Sequence, residues 1–277
     1  MNTTPLTVVI LTFNESVNIR QAIGNTISWA QAVFILDSGS QDDTVEIAQS
    51  MGTQVFHRAF DNYAAQRNYA IKALPIATDW MLFLDADEYL TEALKAEISD
   101  LLAGQPEHQG YYLKRRFYFM GKWIRYGGYY PTWLLRLFRR DAAFCEREIN
   151  EHIRVNGTTG QLKNDFADNN KKDFSEWLNK HNKYASFEAQ QLILPQTNSG
   201  NLTGSQADRK QWIRVNIWNK MMPPLLRPFV YFFYRYFLRL GFLDGKIGFI
   251  YHFMQGLVFF LLIDIKYLEL KFKNKPK

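Results

Sequence analysis

WMLFLDADE, residues 80–88, runs five apolar residues straight into three acids within four positions. A continuous apolar run closed by turn residues is what a strand buried on both faces of a parallel sheet requires. Asp85 and Asp87 stand at its carboxyl end, and side chains alternate along extended chain, so both are expected on one side. Open α/β sheets place their ligands at that end of their strands. Two close carboxylates repel unless a cation joins them. An oxygen-only donor pair suits Mg²⁺ or Mn²⁺, which can bridge to a diphosphate. The competing reading is an acidic turn that caps a helix starting near Thr91.

Upstream, Leu6–Thr12, Val33–Asp37 and Gly52–Phe56 read as three more strands. Helical stretches over about 16–28, 42–51, 63–73 and 91–102 separate and follow them. Strands alternating with helices of this length imply right-handed βαβ units, so the fold class is α/β with a mostly parallel sheet. The other strand ends also carry polar residues. Asp37, next to Gly39, can meet a base edge or a ribose hydroxyl, while Ser40 or Asp42 can cap the following helix. Glu15 can meet a ribose or favour the next helix N-terminus. Arg67 can pair with phosphate or lie on a solvated helix face.

Downstream of Gly110 the pattern changes to strands of mixed polarity at Tyr111–Phe119, Leu134–Arg139 and Ala143–Val155. The aromatic, glycine-rich loop Gly121–Trp133, with Lys122 and Arg125, suits either an acceptor-binding loop or an aromatic patch under membrane-facing helices. Phe174, Trp177, Leu178, His181, Tyr184 and Ala185 repeat at helical spacing, giving an amphipathic helix that stops before Pro195. The polar stretch Gln196–Asp208 reads as a linker. The expected organisation is therefore a catalytic domain over 1–195, a linker over 196–208 and a basic, aromatic helical region over 209–277.

The chain of 277 residues is 47% hydrophobic and 16% aromatic, which argues against disorder. Its single cysteine, Cys145, excludes an intramolecular disulfide framework and a cysteine-based zinc cluster, and fits a reducing compartment. No secretory signal is read at the N-terminus. The net charge of +6 is unevenly spread: residues 209–277 hold 13 Lys and Arg against 3 Asp and Glu, leaving 20 against 24 in residues 1–208. Base combined with dense aromatics points to an anionic membrane surface and away from nucleic acid. In Leu225–Leu240, Arg227, Arg235 and Arg239 fall within about 120° of a helical wheel, as in a helix lying in a membrane interface. Ile247–Ile265 is 19 residues with no charge before Asp264. That is close to the ~20 needed to span a bilayer, and a shallow or re-entrant placement competes with crossing. A buried helical hairpin is the alternative for both segments.

LTFNES, DSGSQDDT, QRN and FLDADE, in this order and spacing, resemble the nucleotide-binding half of the family 2 glycosyltransferases, which have the GT-A fold. GKWIRYGGYYP, LLRLFRR, INEHIRVNG, KHNKYASFEA and GFLDGKIGF are similar to the bacterial lipopolysaccharide-core and capsule branch of that family. The resemblance implies that Thr12, Glu15, Asp37 and Arg67 contact the nucleotide, Asp85 the ribose or the metal, and Asp87 the metal. Family 2 enzymes invert the anomeric carbon, which requires a general base; Glu151 of Asn150-Glu151-His152 is the candidate, with Glu148 second. His152 is either a further metal ligand or a hydrogen-bonded structural residue. Relatives often carry a histidine where this chain has Asp168-Asn169, so no histidine ligand is expected there. The implied activity moves a sugar from a nucleotide donor, UDP-linked by expectation, with Mg²⁺ or Mn²⁺. The implied acceptor is a lipid-linked or membrane-presented glycan at the cytoplasmic face of the cell membrane. A non-catalytic membrane scaffold and a sugar nucleotidyltransferase are the alternatives. The second normally needs a Gly-rich phosphate loop where this chain has TFNES.

Overall fold

The computed structural model describes residues 3–146, 152–194, 212 and 222–273. The chain divides into two compact units, one of Met1–Gly121 with Tyr130–Lys171 and one of Lys122–Tyr129 with Lys172–Lys277.

In the first unit the chain forms β1 (Thr4–Thr12), α1 (Ile19–Thr26), β2 (Ala30–Asp37), α2 (Thr44–Ser50), β3 (Gln54–His57) and α3 (Tyr63–Ala73). β4 (Trp80–Asp85), β5 (Glu88–Leu90), α4 (Glu92–Ala103) and β6 (Gly110–Phe119) follow. After β7 (Lys122–Trp123), which falls in the second unit, come β8 (Thr132–Arg139), β9 (Ala143–Glu146), β10 (His152–Val155) and β11 (Thr159–Asp168). The sheet runs β3-β2-β1-β4-β8-β6-β11-β5, with β3, β2, β1 and β4 mutually parallel. β8 pairs antiparallel with β4 and β6, and β5 antiparallel with β11, so the sheet is mixed beyond β4. The α/β class with helices on the sheet faces is as expected. The alternation of the strands splits the core into two layers. Val8, Ile10, Leu82 and Leu84 face one cluster, and Val9, Leu36, Met81 and Phe83 the other. Burial on both faces is why these strands read as unbroken apolar runs.

The helices start on side chains that satisfy their free amides. Asn62 accepts from Ala65 N at 2.8 Å and opens α3, which stops before Pro75. Thr91 accepts from Leu94 N at 3.3 Å and opens α4. The acids of DADE therefore do not cap that helix; the threonine does. Three elements differ from expectation. The stretch 143–155 is a hairpin of β9 and β10, with 147–151 outside the described residues. β5 is too short to carry a period. β11 pairs with β6 through an irregularity between Gln161 and Asp165, where Glu97 accepts from the Lys163 and Asn164 amides at 2.7 and 2.9 Å, so its alternation is broken in the sequence.

The second unit holds α5 (Phe174–Ile193), α6 (Arg227–Phe233), α7 (Gly245–Tyr251) and α8 (Phe259–Lys273). Wide π-type turns at Tyr234–Leu238 and His252–Val258 extend α6 and join α7 to α8. The linker 196–208 lies outside the described residues. The expected stripe of interfacial arginines is not what forms. Arg227 is buried and its Nε donates to Asp264 Oδ1 at 2.7 Å. Arg235 donates to the Gly127 carbonyl at 2.6 Å and lies 3.6 Å over the Tyr129 ring, leaving Arg239 exposed. A carboxylate inside an apolar helix pair demands a cation, and Asp264 takes Arg227 inward. The loop Lys122–Tyr129 is tied down in the same unit, its Arg125 and Tyr126 amides donating to Asp244 at 3.1 and 3.0 Å. Gly127, at φ +68°, has no room for a side chain: a Cβ would sit 2.1 Å from the His252 ring. Within its unit, 122–129 is thus an aromatic packing element.

Candidate active site

Parallel pairing aligns the strand ends: Thr12 lies beside Asp37, and Leu11 beside Asp85. The loops that follow are laced together by side chains. Asn14, in the left-handed region at φ 52°, donates from its amide to Ser40 Oγ at 2.8 Å and accepts from Gln41 N at 2.8 Å. Glu15 N donates to Thr44 Oγ1 at 2.7 Å, and Ser16 N to Asp42 at 3.1 Å. Asp42, rather than Ser40, accepts the Thr44 amide at the start of α2.

Asp37 is 1% exposed. Its carboxylate accepts from Thr12 Oγ1 at 3.0 Å, from the Gly39 and Ser40 amides at 2.9 Å each, and from Ser40 Oγ. Gly39 makes this wrap feasible at φ +93°. Burial works against the Asp37 charge, but the Ser40 hydroxyl and amide, the Gly39 amide and the Thr12 hydroxyl outweigh it and hold the carboxyl below its usual range. Asp42 is lowered likewise, against a smaller burial cost, by Thr44 and Ser16. In the unfolded chain both take up protons near pH 3.8; the folded protein resists until lower pH. The stability they contribute is therefore complete above that pH and lost as pH falls through the folded range. Urea midpoints measured from about pH 5 down to pH 3 should fall, and Asp37→Asn should flatten that fall while lowering the plateau.

Asp85 ends β4 with its side chain 41% exposed. Arg67, buried on α3, approaches its Oδ1 at 3.4 Å, and Arg136 of β8 donates to its Oδ2 at 2.8 Å. Arg67 is thus no solvated helix residue. Arg136 also donates to Glu88 Oε1 at 2.6 Å, and Glu88 Oε2 accepts the Asp85 amide at 2.9 Å. Burial pushes the Glu88 carboxyl well above its usual range against the pull of Arg136, with Asp85 and Asp168 adding to the rise. Arg136 is held even more firmly as a cation, its burial outweighed by Asp85 and Glu88. The bulge in β8 explains its direction. Tyr111 pairs with Leu137 and Tyr112 with Leu135, so Arg136 is the extra residue and faces the same layer as Leu137, its guanidinium 5.8 Å over the Phe166 ring.

Asp87 is not on the strand. The chain turns after Asp85, so the expected alternation does not set its direction. Asp87 Oδ2 accepts from Asn170 Nδ2 at 2.9 Å and its carbonyl from the Asn169 amide at 2.9 Å. Asn170 and Lys171 in turn engage Asn18, which donates to Glu15 Oε2 at 2.7 Å. Asn18, Gln21, Asp87, Glu88, Tyr89 and Asn169 line a slight surface depression here. Among the described residues no group of three or more His, Cys, Asp or Glu is arranged to hold a metal. Asp85 and Asp87, both only partly buried at a strand end, nevertheless fit the one-or-two-carboxylate donor set that Mg²⁺ uses with substrate phosphates. Glu151 and Glu148 lie outside the described residues.

The sequence reading passed over Arg136, Glu88, Asn18 and Asn170. Arg136 carries a signal: a charge inside the apolar run LLRLF must be partnered. The asparagines carry none, because only the fold brings 18, 87 and 170 together.

An uncharacterized glycosyltransferase of Rickettsia prowazekii (strain Madrid E) is 33% identical over 114 residues, covering 40% of this chain and 38% of that protein. The chain thus spans about two fifths of that relative's length. Lipopolysaccharide core biosynthesis glycosyltransferase LpsC of Rhizobium meliloti (strain 1021) is 28% identical over 202 residues, covering 68% of this chain and 72% of LpsC. Among solved structures, glucosyl-3-phosphoglycerate synthase from Mycobacterium tuberculosis, in complex with Mn²⁺, uridine-diphosphate and glucosyl-3-phosphoglycerate, is 15% identical with a TM-score of 0.43, covering 71% of this chain and 82% of that one. The model of the family described as glycosyl transferase family 2 matches residues 7–168, which hold most of the mixed α/β sheet. With more than half of its length matched, the chain belongs to glycosyl transferase family 2.

Proposed function

We propose that this protein is an inverting glycosyltransferase that moves a sugar from a nucleotide donor, UDP-linked, to a lipid-linked or membrane-presented glycan. The pathway class is synthesis of lipopolysaccharide core, capsule or exopolysaccharide, at the cytoplasmic face of the cell membrane. Family membership supports the activity, and the likeness to LpsC supports the acceptor class. The observation that carries the reading is the alignment of Thr12, Asp37 and Asp85 at the carboxyl ends of adjacent parallel strands, with Asp87 in the next turn.

Thr12, Glu15, Asp37 and the turn that Asp37 holds receive the nucleoside, and Arg67 pairs with the diphosphate. Asp85 and Asp87 would hold Mg²⁺ or Mn²⁺, and the chemistry such an ion would supply is neutralisation of charge on a departing nucleoside diphosphate. The acceptor hydroxyl attacks the anomeric carbon in line, its oxygen–carbon bond forming as the carbon–diphosphate oxygen bond breaks. Glu151 takes the hydroxyl proton. A panel of nucleotide sugars assayed for hydrolysis, with Mn²⁺ and with EDTA, tests this. One donor should be cleaved with metal and at background rate with chelator; cleavage of none, or equal cleavage in both conditions, refutes it.

A further inference from the structure

The second unit exposes a continuous aromatic layer. Phe233 and Phe237 contact at 5.0 Å, Phe237 meets Tyr236 at 5.1 Å, and Tyr236 meets Phe249 at 5.6 Å and Phe242 at 6.3 Å. Phe249 continues to Phe253 at 5.9 Å. The five phenylalanines of this layer are exposed, and Leu238 beside them is 66% exposed. Contiguous apolar surface of this kind marks a docking face. The charges around it select the partner. Between 222 and 253 the single acid is Asp244, buried and accepting from the Arg125 and Tyr126 amides, while Arg239 and Lys246 are exposed. A phenylalanine-rich face with a purely cationic rim complements anionic lipid headgroups over an acyl interior.

The same unit also decides how deep that face goes. Residues Gly241–Lys273 form one helix long and apolar enough to cross a membrane. At ~1.5 Å per residue it reaches about 50 Å, against ~30 Å of hydrocarbon. Its second half, α8, packs along α5. Lys266 Nζ donates to Asn182 Oδ1 and Ser186 Oγ at 2.6 Å each, and the His181 ring meets Phe259 at 5.2 Å. α5 exposes Glu176, Lys180, Asn182, Lys183 and Gln190. A helix carrying those groups cannot lie in hydrocarbon, because each charge there costs about 3 kcal/mol on insertion scales. The half of the long helix bound to it is held in water with it. Asp264, in that half, is neutralised by Arg227 without help from lipid.

We infer that the second unit docks monotopically on an anionic membrane through the Phe233–Phe253 aromatic face, entering one leaflet, and that the Gly241–Lys273 helix does not span the bilayer. This rests on the proposed membrane-presented acceptor and specifies how the enzyme reaches it.

The test uses the full chain with vesicles of phosphatidylcholine alone and of phosphatidylcholine with phosphatidylglycerol. Wild type should cosediment with the anionic vesicles and be released by salt. The variant Phe233→Ser/Phe237→Ser/Leu238→Ser should bind about tenfold more weakly while keeping its circular dichroism and its donor hydrolysis. Topology is read on a Cys145→Ser background with Glu107→Cys or Lys271→Cys, in sealed proteoliposomes treated with an impermeant maleimide. Both cysteines should label from the same side. Labelling from opposite sides, no anionic preference, or a dimer buried on this face that does not bind vesicles overturns the inference. A wild-type chain that hydrolyses its donor but does not bind vesicles sinks docking alone, whereas wild-type binding without any sugar-donor activity sinks the enzymatic reading alone.

Discussion

Replacing Arg136 with alanine should cost about 3 kcal/mol of stability, measured as a drop in the urea midpoint at unchanged slope. Arg136 and Glu88 are 7% and 2% exposed and joined at 2.6 Å, so removing the guanidinium leaves a buried carboxylate without its counter-charge. The amide of Asp85 still reaches Glu88, and the raised affinity of Glu88 for a proton lets it neutralise itself, which holds the loss near the lower end for such pairs. The double variant Arg136→Met/Glu88→Gln should recover much of the loss, since two neutral groups then fill the same space. A single variant with stability within about 0.5 kcal/mol of wild type would show that the bulge in β8 does not aim this side chain at the acids.

Asp87→Asn should lower sugar transfer by about 10³-fold with little effect on folding. The asparagine carbonyl can still accept from Asn170, so the turn between β4 and β5 keeps its tie to the segment after β11. What disappears is a negative charge, and a metal clamp on a leaving diphosphate supplies several kcal/mol of transition-state stabilisation. Isothermal titration should show Mn²⁺-dependent UDP binding in wild type and a metal-independent remnant in the variant. Transfer near the wild-type rate would remove Asp87 from the proposed chemistry. A large loss of stability with activity per folded molecule retained would make it a structural residue.

The strands β1, β2 and β4 were legible because burial on both faces leaves nearly unbroken apolar runs, and the loop acids Asp37 and Asp85 then fell at their ends by register. α5 was legible from the helical spacing of Phe174, Trp177, His181 and Ala185 and the proline at 195, and α3 and α4 as helix-length stretches beside the strands; that Asn62, Thr91 and Asp173 cap them is what the structure adds. β11 and the direction of Arg136 were not legible, because bulges break the two-residue alternation on which strand reading depends. Arg227 and Arg235 misled for a related reason. A helical wheel places side chains at an angle, but whether that angle meets water, lipid or a buried aspartate depends on a segment 37 residues away in the case of Asp264.

Local pattern therefore determined the fold class, the strand ends and the acids standing there, since these follow from burial and backbone preference within a few residues. Tertiary structure alone decided that Asp85 is gripped by Arg67 and Arg136, that Asp87 belongs with Asn18 and Asn170, and that the basic C-terminal quarter shows its phenylalanines outward and two of its arginines inward. Charges must be neutralised wherever burial puts them, and the partner is chosen by proximity in space, which sequence spacing does not encode.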